Sequence, residues 1–265
     1  MTEVFGDKKL SRRRGAGGAA ALNASAAGAT VLVLEKLATP GGCTALAHGS
    51  FAAAGSTYEK ALGLVDSPGK MFDFWTRAGM GVTDPEVLLT YCVNAADAWL
   101  WLANTIDSQI GVTNPLTVWG SSSFTGSPYV TASDVVPRMP YFLGYTPAGY
   151  TSSGAGTFRG VYSAVQKDPN IQVMLSTPAV GLVTNNGEVV GVQAVANDTL
   201  SYFKANRAVV LTTGDIGRND EMTVKYAPFT YYAFKITAPG CTGDGVRLGQ
   251  QVGADLAGLG GCMSH

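Results

Sequence analysis

Gly15-Ala16-Gly17-Gly18-Ala19 is a turn whose backbone can approach a ligand closely, and it opens onto a helix. Glycines remove the Cβ atoms that would hold a phosphate away, and the unpaired N–H groups of a first helical turn favour negative charge. A dinucleotide pyrophosphate is the group that Gly15, Gly17, Gly18 and Ala19 could hold. The signal gains weight from Glu35, which ends the next apolar run, Thr30-Val31-Leu32-Val33-Leu34. A carboxylate there can accept hydrogen bonds from a ribose diol. The competing reading makes Glu35 an ordinary strand-end charge paired with Lys36.

Regular elements must place these groups. Ala19 to Ala27 is alanine-rich and reads as a helix stopped by Gly28 at its C-cap. It feeds the run 30–34, whose branched apolar residues mark a strand buried on both faces of a parallel sheet. Ser67-Pro68 opens a helix to about Arg77. Asp84-Pro85-Glu86 opens a longer one through Val87, Leu88, Tyr91, Ala95, Ala98, Trp99 and Leu102. Trp99 and Trp101 read as core packing. Residues 113–153 carry Ser, Thr, Pro, Gly and Tyr without a sustained period and read as a long loop region.

Order returns with a helix from Gly160 to Gln166 and a strand from Ile171 to Leu175. Gly181-Leu182-Val183 then leads through Asn185-Asn186-Gly187 into Val189-Val190-Gly191-Val192, a hairpin pattern. Ala208 to Leu211 is a further buried strand, ending at Thr212-Thr213-Gly214. The expected fold class is α/β: a Rossmann-like dinucleotide-binding domain with a parallel sheet, a β-hairpin layer and a helical insertion. No internal repeat is visible.

Composition excludes several classes. With 46% hydrophobic and 14% charged residues, the 265-residue chain can bury a core and is not of the disordered type. A formal net charge of −1 without a long basic run argues against a nucleic-acid partner. No apolar run is long enough to span a bilayer. Cys43, Cys92, Cys241 and Cys262 lack C-x-x-C spacing and His48 and His265 are far apart, so neither a zinc site nor a disulfide scaffold is expected. The segment Lys8 to Arg14 reads in two ways, as the basic tail of a cytoplasmic protein or as the remnant of a twin-arginine export signal.

Motifs further along carry a resemblance. Gly28 to Lys36, Pro40-Gly41-Gly42-Cys43-Thr44 and Gly49 to Gly55 resemble the start of the fumarate reductase/succinate dehydrogenase flavoproteins, a family that includes urocanate reductase-like and ketosteroid dehydrogenase-like enzymes. Ala208 to Met222 resembles their second flavin strand, and Thr242-Gly243-Asp244-Gly245 their Gly-Asp-Gly element. The resemblance implies FAD as cofactor. Lys36 and Gly42 fall among its contacts, Cys43, Thr44, His48 and Gly49 lie along the flavin and its linker, and Ala179 makes the backbone contact to the adenine. Thr213, Gly214 and Asp244 complete the set, with Gly49 and His265 on the substrate side. Cys43 stands where covalently flavinylated relatives have the attaching His, which implies non-covalent FAD. His265 read without the family is a terminal residue with no role.

The chain also departs from that family. Three arginines replace the apolar first strand, so the sheet lacks that strand or a neighbouring segment substitutes for it. The third glycine of the first turn is absent, and Asp215 and Ile216 stand where the family has Gly and an aromatic. The family continues past this point with a capping domain that supplies an Arg proton donor, and with a closing FAD segment. Residues 1–14 are therefore expected as a tail, 15–240 as the FAD-binding domain with an insertion at 56–155, and 241–265 as the last FAD-contact segment. No catalytic residue or metal ligand is nominated, FAD retention is expected to be weak, and the chain is not expected to catalyse alone. The parent reaction implied is hydride transfer to or from a C–C bond beside a carbonyl or carboxylate of a small molecule, with an electron-donor protein as a further candidate partner. The alternatives are a non-functional truncated product and an NAD(P)-binding dehydrogenase domain.

Overall fold

The structure is a computed structural model that describes residues 2–3, 16–47, 49, 51–80, 82–110, 117–118, 140–141, 153–232, 235 and 237–259. Gly15, His48, His265, the basic segment Lys8 to Arg14 and most of 113–153 lie outside the described residues. The chain divides into two compact units, one built around Gly15–Leu46 and Tyr162–His265 and the other around Ala47–Val161.

In chain order the elements begin with β1 (Thr2–Glu3), α1 (Ala16–Ala26), β2 (Val31–Leu34) and α2 (Gly42–Leu46). The second unit holds α3 (Thr57–Ala61), α4 (Pro68–Ala78), α5 (Pro85–Ile110), β3 (Thr117–Val118), β4 (Pro140–Tyr141) and the start of α6 (Ser153–Lys167). The first unit resumes with β5 (Ile171–Met174), β6 (Ala179–Asn185), β7 (Glu188–Ala196), β8 (Thr199–Lys204), β9 (Val210–Leu211), α7 (Asp220–Tyr226) and α8 (Asp244–Gln251).

The first unit is built on a four-stranded sheet of order β5-β2-β1-β9. β2 and β5 are parallel, with Val31 opposite Ile171 and Leu34 opposite Met174. β1 runs antiparallel to both β2 and β9, so β2, β5 and β9 share one direction. A segment does therefore stand in for the family's first strand: Thr2–Glu3, reversed in direction, pairs with both flanking strands and satisfies their ladder groups there.

β2 is apolar throughout because it has no solvent face. Val31 and Val33 pack with Ala21 and Ala24 of α1, while Leu34 packs with Val192 and Ala194 of β7. Helix α1 begins at Ala16, earlier than its alanine run suggests, and takes Gly17 and Gly18 into its first turns. Gly17 and Ala19 are buried there, so close packing overrides the poor helix propensity of glycine. Gly28, at φ +84°, ends the helix as expected.

The hairpin forms at Asn186-Gly187, both residues at positive φ, and continues into a three-stranded layer of order β6-β7-β8. The third strand follows a second positive-φ pair, Asn197-Asp198, whose turn chemistry resembles the first.

In the second unit Ser67 caps α4, and Asp84 Oδ1 accepts from the amides of Glu86 and Val87 at the start of α5. Trp99 is 2% exposed and lies 6.3 Å from the ring of Phe51, whereas Trp101 is only half-buried. Core packing therefore describes Trp99 better than Trp101. Thr117 pairs with Tyr141, so two short strands stand inside the stretch read as loop. Among the described residues no helix is long and apolar enough to cross a membrane.

Candidate functional site

Parallel strands leave a crevice outside their carboxyl ends, and β2 and β9 end at the same edge of the sheet. A helix that runs back along the strand it feeds has its first turn at that edge, which puts the start of α1 there. No acidic side chain occupies that first turn, so nothing opposes an anion at the helix dipole.

Past β2 the chain is tied down on both sides. The Glu35 amide donates to Met174 O at 2.8 Å, and the Thr177 amide donates to Glu35 O at 2.8 Å. These bonds draw Thr177-Pro178-Ala179 alongside Glu35. The Glu35 carboxylate accepts from the Leu37 amide through Oε1 at 2.9 Å. Lys36 turns away from it and donates to Thr242 Oγ1 at 2.6 Å and to Asp244 Oδ2 at 2.8 Å. The pairing of Glu35 with Lys36 is thus replaced by an ion pair across the sheet edge.

Asp244 is the first residue of α8 and also accepts from Arg247. Burial pushes its carboxyl up, but the hydrogen bond and charge of Lys36, aided by Thr242 and Arg247, outweigh this and hold it below the usual carboxylate range. Gly245 locks α8 to the end of β9: a Cβ there would stand 2.1 Å from Thr213 Oγ1. Only glycine permits that approach.

A second cluster forms where α2 begins. Cys43 Sγ lies 3.4 Å from Cys241 Sγ, 3.3 Å from Thr237 Oγ1 and 3.5 Å from Asp215 Oδ2, and it accepts from the Ala238 amide at 3.4 Å. Asp215 is itself engaged, accepting from Thr237 Oγ1 at 2.8 Å and from the Gly217 amide at 2.8 Å. The hydrogen bond with Cys241, with burial second, pushes the Cys43 thiol well up, while that same bond pulls Cys241 down to about 6. Cys43, Asp215 and Cys241 offer donor atoms within 4.8 Å of one another, a set that could in principle hold a cation.

A glycine-rich helix start free of acidic side chains, an acid at a strand end and two polar turns interlocked at one sheet edge fit a dinucleotide. Residues 15–263 match the FAD binding domain family. The chain belongs to that family. This FAD-binding domain is 32% identical over 247 residues to the urocanate reductase of Eggerthella lenta, with 91% of the chain and 37% of that enzyme aligned. It is 28% identical over 251 residues to the NADH:fumarate oxidoreductase of Klebsiella pneumoniae, with 95% of the chain and 25% of that protein aligned. Its fold is similar to the 3-ketosteroid-Δ4-(5α)-dehydrogenase of Rhodococcus jostii RHA1, with a TM-score of 0.76 at 25% identity over 92% of the chain and 53% of that enzyme. The chain thus spans between a quarter and about half of the length of these relatives.

The first unit of the FAD-binding domain contains Gly17, Gly18, Ala19, Glu35, Lys36, Gly42, Cys43, Thr44, Ala179, Thr213, Gly214 and Asp244. Gly49, half-buried, belongs to the second unit. Gly15, His48 and His265 lie outside the described residues. Sequence reasoning missed Asp215, Thr237 and Cys241 as neighbours of Cys43, and Thr242 as a partner of Lys36. Cys43 and Cys241 are separated by 198 positions, and no spacing rule links them.

Proposed function

We propose that the chain seats an extended FAD for a reductase or dehydrogenase that acts on a C–C bond beside a carbonyl or carboxylate of a small molecule. The observation that carries this reading is the meeting of Glu35, Thr213 and Asp244 at one sheet edge, through the Lys36–Asp244 pair and the Thr213–Gly245 contact. The similarity to proteins named urocanate reductase and NADH:fumarate oxidoreductase supports the substrate class.

In this reading Gly15, Gly17, Gly18 and Ala19 take the pyrophosphate on the first turn of α1. Glu35 accepts from the ribose hydroxyls, for which its carboxylate keeps acceptor capacity beyond the Leu37 amide. Ala179 offers its backbone to the adenine. Lys36 orients Asp244, and Thr213 and Gly214 border the cofactor from the end of β9. Gly42, Cys43 and Thr44, with His48 and Gly49, line the flavin side, and Gly49 and His265 face substrate. FAD, once bound, supplies the hydride chemistry. For the whole protein the reading extends to an electron-donor partner.

The test is direct. The purified chain is titrated with FAD and separately with NADH, and visible absorbance is followed through gel filtration. A saturable change in the flavin spectrum on titration of folded protein is expected, with weak retention through gel filtration, and Glu35→Ala should weaken FAD about tenfold by removing a charged acceptor. Nicotinamide binding without flavin, or flavin-free aggregate, would overturn the reading.

A further inference from the structure

We propose that Cys43 and Cys241 form a reversible disulfide site, oxidised by a low-molecular-weight disulfide of the glutathione class. The inference stands on the thiol cluster itself and is independent of the cofactor reading.

Two thiols from distant parts of the chain already touch, at 3.4 Å between sulfurs. Bond formation requires them to close by about 1.4 Å, a side-chain movement. Access and shielding are divided between them: Cys43 is half-buried, while Cys241 is 4% exposed and sits behind it. Of the two sulfurs it is Cys241 that the contact favours as thiolate, its ionisation drawn down to about 6 by the hydrogen bond with Cys43, so the proton of the accessible Cys43 has an acceptor in contact with it. The Ala238 amide points at Cys43 Sγ, and Thr237 Oγ1 lies within hydrogen-bond reach of it. Cys92, by contrast, is fully buried in the second unit, away from solvent.

A metal explains the cluster less well. The third donor is Asp215, whose Oδ1 already accepts from Thr237 and the Gly217 amide, and a closed zinc site needs four protein ligands. A thiol pair needs nothing more than it has.

The chemistry balances with the external disulfide as oxidant. With its proton passed to the Cys241 thiolate, the Cys43 sulfur attacks one sulfur of R–S–S–R, breaking that bond, forming a mixed disulfide and releasing the first R–S⁻, which takes the proton back from Cys241. The Cys241 thiolate then attacks Cys43 Sγ and expels the second. Two protein thiols lose two electrons, the external disulfide gains them, and the two protons leave with the released thiols as R–SH. A dithiol reductant reverses each step.

The full chain is equilibrated over a series of reduced to oxidised glutathione ratios, quenched with an alkylating reagent and digested with trypsin. Cleavage after Lys36 and Lys60 and after Lys235 and Arg247 places Cys43 in peptide 37–60 and Cys241 in peptide 236–247. The expected result is that the two peptides appear as one linked species, lighter than their sum by two hydrogens, whose fraction rises with oxidised glutathione and returns to zero with dithiothreitol. In C241S, Cys43 should stop at the glutathione adduct because nothing resolves it. Three results overturn the proposal: both peptides alkylated separately at every ratio, both carrying separate glutathione adducts, or stoichiometric zinc released as the thiols are alkylated. The wild-type peptide map decides the matter even if C241S does not fold.

Discussion

Two clusters brace the same pair of segments, the turn after β2 and the turn that leads into α8, and they do it with opposite chemistry. At one, Lys36 reaches Thr242 and Asp244 through charge and hydrogen bonds. At the other, Cys43 reaches Cys241 and Thr237 through polarizable sulfur. At the ionic brace the Asp244 carboxyl is held below its usual range by Lys36. The thiol brace changes with proton and oxidant. A cofactor edge held by both would have one support that is constant under cellular conditions and one that is adjustable.

The sharpest way to break this contrast is to oxidise the chain. A Cys43–Cys241 bond closes a very long loop and should raise stability by about 2–4 kcal/mol, read as a higher Tm in the absence of reductant. Cys43→Ser should show no such rise, and equal Tm values for reduced and oxidised wild type would remove the adjustable support. Next in size is Gly245→Ala. Alanine is ordinarily the better helix residue, but here its Cβ meets Thr213 Oγ1, so the change should cost about 1–3 kcal/mol by denaturant unfolding. Adding Thr213→Ala should recover part of that loss, and a double-mutant cycle with no coupling would show that the two residues do not interlock.

How much of this was legible beforehand follows from the range of the interactions. Short-range features came through: the Gly28 stop, the Ser67 and Asp84 helix starts, the Asn186-Gly187 turn and the doubly buried run 31–34 all rest on residues within one turn or one strand. The early start of α1 did not, because packing decided against the glycine propensities. Nor did β8, though Asn197-Asp198 carries a turn signature like the one that revealed the hairpin. The thiol cluster was out of reach, since its members are brought together only by the fold. In retrospect Cys43, which stands where covalently flavinylated relatives have a His, and Asp215, which stands where the family has Gly, are neighbours. Unusual residues at separate motifs are worth testing as a pair.

The ionic brace should yield to Lys36→Met, which keeps most of the stem and removes the ammonium. Asp244, with its side chain 19% exposed, then keeps only Arg247 and Thr242, and the loss should be about 1–2 kcal/mol. Its pH dependence sharpens the point. The folded carboxyl lies below its ordinary value of 3.8, so its stabilisation is fully present above that value and is lost as pH falls through the lower folded one. The difference between wild type and Lys36→Met in urea unfolding should therefore hold steady from neutral pH to about 5 and shrink below about 4. A difference that persists undiminished at lower pH would mean that packing of the lysine stem, rather than its charge, makes the brace.

The smallest effect on stability belongs to the thiol brace when it is kept reduced. Cys43→Ala removes one sulfur donor from a half-buried site and should cost no more than about 1 kcal/mol. Its effect on titration should be plain. In the wild type the hydrogen bond with the Cys43 thiol draws the ionisation of Cys241 down to about 6, against burial that works the other way and with the Asp215 carboxylate as the nearby opposing charge. The ultraviolet absorbance of the thiolate should therefore rise near that pH in wild type. In Cys43→Ala the rise should move up toward the ordinary cysteine value of 9.0, because the largest lowering contribution is gone and Thr237 alone replaces little of it. An unmoved inflection would show that Thr237 and the Asp215 amide, not the second thiol, hold the charge. The pair would then be two cysteines that happen to touch, and only the ionic brace would remain.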